Sequence, residues 1–303
     1  MQSPQSAPSE SAVAGIGLMA AAAALFGFLD ATAKYLGQTM NAFDLVWLRY
    51  ATHVFLLALF LRAWRNFEAF RTERPFLHIL RGINLMGATV FNFWALRYLQ
   101  LAEASAIMFC APLLVTAVAG PVLGEKVGLR RWVAVGVGFV GVLIVTRPGT
   151  GAMHWAVGLS VMAVINYASY AVLTRRMNET ESPQSLLMLS AIVGFVAFAP
   201  FAPSALTSLQ GWHWGLALLM GAFGVVGHYA LVIAHKIATA STLAPFIYTQ
   251  MIWMIALGYF IFGDVPDVFT VLGTLIIAAA GLYILHRERV RGGGAVSPDP
   301  SVQ

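Results

Sequence analysis

Charged side chains are scarce in this chain of 303 residues: Asp, Glu, Lys and Arg together make up 10%, against roughly a quarter in an ordinary soluble protein. That scarcity excludes water as the solvent for most of the chain. Cysteine is nearly absent as well. Cys110 stands alone, which excludes an internal disulfide framework and a thiolate cluster for metal and leaves packing as its expected role. Also missing are a phosphate-cradling Gly-rich loop ending in Lys-Ser/Thr, a histidine pair at metalloprotease spacing and a nucleophile elbow. ATP-driven pumping and membrane hydrolysis are disfavoured on that ground; the chain is expected not to be an enzyme and to need no cofactor. No Lys or Arg precedes Lys34, so the first apolar run lacks the positive n-region of a signal peptide and reads as a retained helix.

Apolar residues make up 59% of the chain, and they come in blocks of helix-spanning length rather than at amphipathic spacing. About 20 helical residues cross the roughly 30 Å of hydrocarbon in a bilayer. Ten runs are read on that basis: 11–36, 43–61, 76–99, 101–123, 129–145, 154–173, 185–201, 212–233, 240–262 and 268–285. The expected fold class is all-α integral membrane with ten transmembrane helices. The tails 1–10 and 292–303 have the composition of disordered segments.

A net charge of +5 raises the question of nucleic acid, and the placement of the cations answers it. They form no patch but fall in the short breaks between apolar runs. With the N-terminus inside, Arg62, Arg65, Arg71, Arg74, Arg81, Lys126, Arg130, Arg131, Arg175, Arg176, Lys236, Arg287, Arg289 and Arg291 are cytoplasmic, whereas only Lys34, Arg97 and Arg147 are external. Fourteen against three is a positive-inside bias, with Arg49 left within a span. A multi-pass protein of a bacterial inner membrane with both termini cytoplasmic is expected, its environment the lipid bilayer and not a nucleic acid.

The two halves repeat. At an offset of 139, Gly82 meets Gly221, Ala95 meets Ala234, Arg97 meets Lys236, Gly124 meets Gly263 and Glu125 meets Asp264. Because each half holds an odd number of spans, the second copy must lie inverted. The basic turn 124–131 and its cation-free counterpart 263–267 agree with that. The expected domains are two five-helix repeats, 11–145 and 154–285, a plan recurrent in secondary transporters with a midplane site.

Polar groups at membrane depth need a partner or a task. Arg49 and His53, four apart on the second span, share a face; Arg49 is either an anchor for an anionic or carbonyl group or the neutraliser of Asp30 or Asp44. Asp30 is four residues before Lys34, a spacing that favours an ion pair, and otherwise it is a proton site. Glu103 opens the fourth span, where a carboxylate complements the helix dipole. His228 is mid-span in the eighth, placed to bond a ligand, accept a proton or join helices; its repeat partner is Thr89. Aromatic faces with a few placed amides suit a planar solute. Asn92 stands among aromatics on the third span; Asn166, Tyr167 and Tyr170 are on the sixth, and Tyr248, Gln250 and Trp253 on the ninth.

These residues resemble the drug/metabolite transporter superfamily, specifically its EamA-type ten-helix members. The likeness runs from Gly15 to Leu285 and is carried by Arg49, the stretch 95–98 leading into 101–104, Ala111-Pro112-Leu113, the stretch 123–126, Gly141, Tyr248-Thr249-Gln250, Phe262-Gly263-Asp264, Gly273 and Gly281. One departure is that the repeat partner of Pro112 is Met251, with a proline instead at Pro245. The resemblance implies a ten-helix inverted-repeat carrier with a cavity lined by the first, third, fourth, sixth, eighth and ninth helices. It implies a small-molecule substrate, with planar riboflavin the first expectation and S-adenosylmethionine, an amino acid or a drug the alternatives. On this reading Asn92, Asn166 and Gln250 bind edge groups, Tyr167, Tyr170 and Trp253 stack, and His228 tunes binding. A membrane sensor or scaffold is the competing class, and the loops are short for a signalling module.

Overall fold

In hydrocarbon no water completes the hydrogen bonds of the backbone, so an apolar run must satisfy its own N–H and C=O groups as a helix. The computed structural model describes residues 10–62, 65, 67–115, 117, 129–149, 153–177, 180–238, 243 and 246–292. Every regular element among them is helical. In chain order the α-helices are α1 (Glu10–Leu36), α2 (Ala42–Leu61), α3 (Pro75–Leu96), α4 (Leu101–Met108), α5 (Leu129–Thr146), α6 (Val157–Met177), α7 (Pro183–Ala197), α8 (Ala202–Ser208), α9 (His213–Ile237), α10 (Gln250–Leu257) and α11 (Val268–Gly292). Among the described residues, five segments are long and apolar enough to cross a membrane: Val13–Leu36, Ala42–Leu61, Pro75–Leu96, Val157–Thr174 and His213–Ala234. A sixth forms if α7 is joined to the stretch Ala199–Ser208, bent from it by 56°. Shorter apolar stretches cover Leu101–Val115, Trp132–Thr146, Gln250–Phe262 and Val268–Tyr283.

Local chemistry sets the ends. Asn41 caps α2 by accepting from the Phe43 N–H, and Ser182 caps α7 by accepting from the Ser185 N–H at 3.1 Å. Pro75 and Pro183 occupy first-turn positions, where a missing N–H costs nothing. Pro200 cannot continue α7, so the seventh run breaks after Ala197 and restarts as α8. Pro112 acts in the same way on the fourth run: α4 stops at Met108, four residues before the proline ring, and helix resumes at Ala111. The ninth run breaks at Tyr248-Thr249, the repeat counterpart of Phe109-Cys110, although Met251 replaces the proline. The rings of Phe109 and Tyr248 meet edge to face, with centroids 5.1 Å apart. The departure at Met251 therefore leaves the position of the break unchanged. At its far end α11 runs beyond Leu285 to Gly292. Residues 118–128 (most of the basic turn 124–131 among them), Pro245 and the tails 1–9 and 293–303 lie outside the described residues.

Packing pairs α1 with α9, α3 with α6 and α5 with α11 most extensively; α2 lies against α9 and α7, and α3 against α7. Exchanging the two halves maps α1–α9 onto α6–α3 and α2–α9 onto α7–α3. The repeat glycines take part in equivalent contacts: a Cβ on Gly82 would fall 2.6 Å from Val193 of α7, and one on Gly221 would collide with Thr52 of α2. Small residues at these crossings let backbones approach, as helix pairs in membranes require.

The connections sort to two ends. At one, Lys34 Nζ pairs with Asp264 Oδ2 and donates to Leu99 O, both at 2.8 Å, and Arg147 Nη2 meets Asp267 Oδ2 at 2.6 Å. Tyr35 packs on Trp212, Phe43 on Phe201 and Tyr98 on Trp155 at the same end. At the other, Glu181 accepts from Thr72 Oγ1 at 2.9 Å and the Glu73 N–H at 3.2 Å, with His78 Nε2 also 3.2 Å away. Burial works to raise the Glu181 carboxyl pKa, but the His78 ring, Thr72 and the Glu73 amide outweigh it and hold it below the usual range. Asp267 is likewise held low against burial, by the Thr270 amide and hydroxyl and the Arg147 guanidinium.

Candidate functional site

Side chains at the middle of α2, α3, α6, α7 and α9 build a polar centre inside this apolar bundle. Arg49 and Tyr50 are 7% and 1% exposed. They converge on Thr89, which accepts from Arg49 Nη1 at 3.2 Å and lies 3.1 Å from the Tyr50 hydroxyl. One turn further along α2, His53 packs against the His228 ring of α9 with centroids 6.0 Å apart, and Phe26 of α1 closes on the other side of His228 at 4.9 Å. Arg49, Tyr50, His53, Tyr170, Ser190 and His228 line a small cavity together with Leu85, Leu186, Leu187 and Ala191. Its volume is about 10 Å³, room for roughly one water molecule.

Beside it sits Arg81, 2% exposed. Its Nε donates to Thr174 Oγ1 at 2.7 Å, Nη1 to Leu186 O at 2.6 Å and to Ser190 Oγ, and Nη2 to Tyr170 OH at 2.8 Å. The guanidinium also lies over the Tyr170 ring, 4.5 Å from its centroid. Sequence reasoning placed Arg81 among the cytoplasmic cations. The structure corrects this: Arg81 is inside α3 and belongs to the polar centre and not to a connection between runs. The available signal was its position within the apolar run 76–99, together with acceptors at helical spacing, Tyr170/Thr174 and Leu186/Ser190, on two other runs.

The expected Asp30–Lys34 pair is also replaced. Lys34 turns to Asp264 across the bundle, and Asp30 instead accepts from Asn92 Nδ2 of α3 at 3.0 Å. Four residues of separation place two side chains on one helical stripe, but each stripe here faces two neighbours, and the interhelical partners are better placed. Asp44, offered as a neutraliser of Arg49, accepts from Ser204 at 3.0 Å instead.

Of the residues singled out in the sequence, Arg49, His53, Tyr170 and His228 are brought together on the cavity, with Asp30 and Asn92 bonded to each other between α1 and α3. Tyr167 packs beside Tyr170, ring centroids 6.0 Å apart. The others stand elsewhere. Asn166 returns its Nδ2 to Met162 O of its own helix at 2.8 Å and lies against Gly87. Trp253 is 39% exposed and packs on Phe28 at 5.6 Å. Gln250 opens α10, and Tyr248, just before it, is wedged against Phe109 and Gly281 with its hydroxyl unpartnered. Glu103 is in the first turn of α4, within electrostatic reach of Asp267, Arg147 and His154 rather than of the cavity.

Around this centre the bundle shows an apolar exterior: Phe260, Leu129, Phe76 and Leu275 are all more than half exposed. Apolar outside and ionisable within is the inverse of a soluble protein and defines a multi-pass membrane protein. The chain belongs to the EamA-like transporter family, which matches it over residues 13–147 and again over 154–286. It is similar to the S-adenosylmethionine uptake transporter of Rickettsia prowazekii (strain Madrid E), 28% identical over 260 residues that cover 86% of this chain and 88% of that protein. It is also similar to the riboflavin transporter of Vibrio cholerae serotype O1 (strain ATCC 39315 / El Tor Inaba N16961), 26% identical over 282 residues that cover 89% and 92%. A solved crystal structure superposes with a TM-score of 0.60 at 16% identity, covering 94% of this chain and 99% of that one, and shares the fold. The family and these relatives make the chain a small-metabolite transporter rather than an enzyme.

Proposed function

We propose that the chain is a secondary carrier that takes up a small organic metabolite across the bacterial inner membrane by alternating access. On this reading all ten apolar runs cross the bilayer as two inverted five-helix repeats, 11–145 and 154–285, with both termini in the cytoplasm. The observation that carries the proposal is the polar centre itself, since Arg49, Arg81, His53 and His228 are costly in an apolar bundle and each comes from an element at the seam between the halves. The exchange-related packing, the equivalent breaks at Phe109-Cys110 and Tyr248-Thr249 and the doubled family match support the repeat. The positive-inside count supports the orientation.

The two ends supply the gates. Lys34–Asp264 and Arg147–Asp267 join first-half to second-half residues at the proposed external end, while Glu181 ties α3 to the α6–α7 turn at the cytoplasmic end. A cavity with room for about one water is too small for a metabolite. The helices part to admit substrate, and Arg49, Tyr170, His228, Asp30 and Asn92 are the residues it meets. S-adenosylmethionine and riboflavin, the metabolites of the two relatives, are the substrates to test. Purified protein in liposomes is expected to accumulate one of these labelled compounds by counterflow. If neither moves, while the protein is shown to be folded and inserted, the uptake reading falls.

A further inference from the structure

A cation held among apolar helices must find groups to replace the water it has lost. Arg81 has them at all three of its nitrogens, each bond going to a neutral acceptor. Arg49 does not. Its described hydrogen bond is the 3.2 Å contact to Thr89, and its buried Nε has no partner. The Tyr50 ring, 5.0 Å away, offers a π face but no oxygen. His53, which lines the same cavity, likewise has a buried Nδ1 without a partner. Asp30 accepts from Asn92 and acts on Arg49 electrostatically, but no hydrogen bond joins Asp30 to Arg49. Even with Asp30 ionised, Arg49 and Arg81 leave the centre with one positive charge in excess, and a proton on either histidine adds to it.

We infer that Arg49 is the receptor for a carboxylate on the transported metabolite, with His53 completing the anion's contacts at the cavity wall. A guanidinium presents parallel N–H donors whose spacing matches the two oxygens of a carboxylate. One surplus positive charge fits a monoanion better than the dianion of a phosphate ester. The inference rests on the carrier reading and narrows it: S-adenosylmethionine bears an α-carboxylate, whereas riboflavin bears none. Entry of that carboxylate offsets the surplus charge at Arg49, while the ammonium and sulfonium of S-adenosylmethionine are left for other groups to meet.

The test uses the full chain in detergent and in liposomes, with three probes: S-adenosylmethionine, its decarboxylated analogue and riboflavin. Thermal stabilisation reads binding directly, and counterflow reads transport. S-adenosylmethionine is expected to half-saturate at roughly 10- to 100-fold lower concentration than the decarboxylated analogue, the range set by a hydrogen bond to a charged group. Arg49→Gln should bring the two compounds to the same half-saturation, and Arg49→Lys should restore part of the preference. Equal binding of the two by the unsubstituted protein, or binding of riboflavin with neither of them, overturns the carboxylate site without touching the carrier reading. Arg49-dependent binding of S-adenosylmethionine with no counterflow of any probe keeps the site and removes the carrier. Silence of all three probes in both assays removes both.

Discussion

Arg81 offers a test of whether the cation or the polar shell around it holds α3 against α6 and α7. Its fork reaches Thr174, Tyr170, Leu186 O and Ser190 from three nitrogens. Arg81→Lys keeps the charge but presents a single nitrogen, so about two of those contacts are lost and a buried ammonium is left poorly solvated. At about 1.5–3 kcal/mol for each hydrogen bond to a charged group, the cost is about 3–6 kcal/mol. Arg81→Met keeps the length and removes the charge together with its desolvation penalty. Thr174 already donates to Tyr170 O at 2.7 Å, and a serine hydroxyl can turn to its own helix, so the Tyr170 hydroxyl is the main orphan. That costs about 1–3 kcal/mol. The expected order is wild type, then Met, then Lys, contrary to the intuition that Lys is the conservative change. Cys110 is the sole thiol and is buried, so labelling by a thiol-reactive dye during titration with a denaturing detergent reports unfolding. A Lys variant within 1 kcal/mol of wild type, or a Met variant less stable than Lys, would refute the reasoning.

Three further outcomes follow from named contacts. Lys34→Asp should weaken the external end and slow uptake several-fold, and combining it with Asp264→Lys should recover most of the rate; recovery no better than either single change would show that the pair is incidental. Glu181 and Asp267 have lowered carboxyl pKa values in the folded protein, so each contributes stability that is present above the unfolded value and is lost as pH falls through the folded one. Midpoints recorded from pH 7 to pH 3 should therefore fall on the acid side, and Glu181→Gln with Asp267→Asn should flatten that limb; an unchanged limb counts against both networks. On α5, Gly141→Ala places a Cβ 2.9 Å from Gly273 O of α11 and should cost about 1–3 kcal/mol by overpacking. Gly136 has nothing within 4 Å, so Gly136→Ala on the same helix should be neutral or slightly stabilising, and equal effects at the two sites would contradict the crossing.

Much of this protein is determined by its sequence alone, because burying backbone in hydrocarbon leaves an apolar run almost no choice but helix. The runs at 43–61 and 212–233, the latter with His228 at mid-span, were legible for that reason, as was the cost of keeping Arg49, His53 and His228 inside, whereas the break before Pro112 in the run 101–123 was not read from the sequence. Tertiary structure decided which groups meet. Asp30 and Lys34 are a plausible pair on one helix, yet they bond to Asn92 and Asp264 on others. Arg81 looks like a loop cation until α6 and α7 bring four acceptors to it. Trp253 and Asn166 look like lining residues, yet they pack on Phe28 and Gly87. Spacing along a helix fixes depth and a shared stripe, but the rotation of that stripe toward one neighbour rather than another is set by how the helices cross. A buried charge goes wherever the finished packing offers it oxygen.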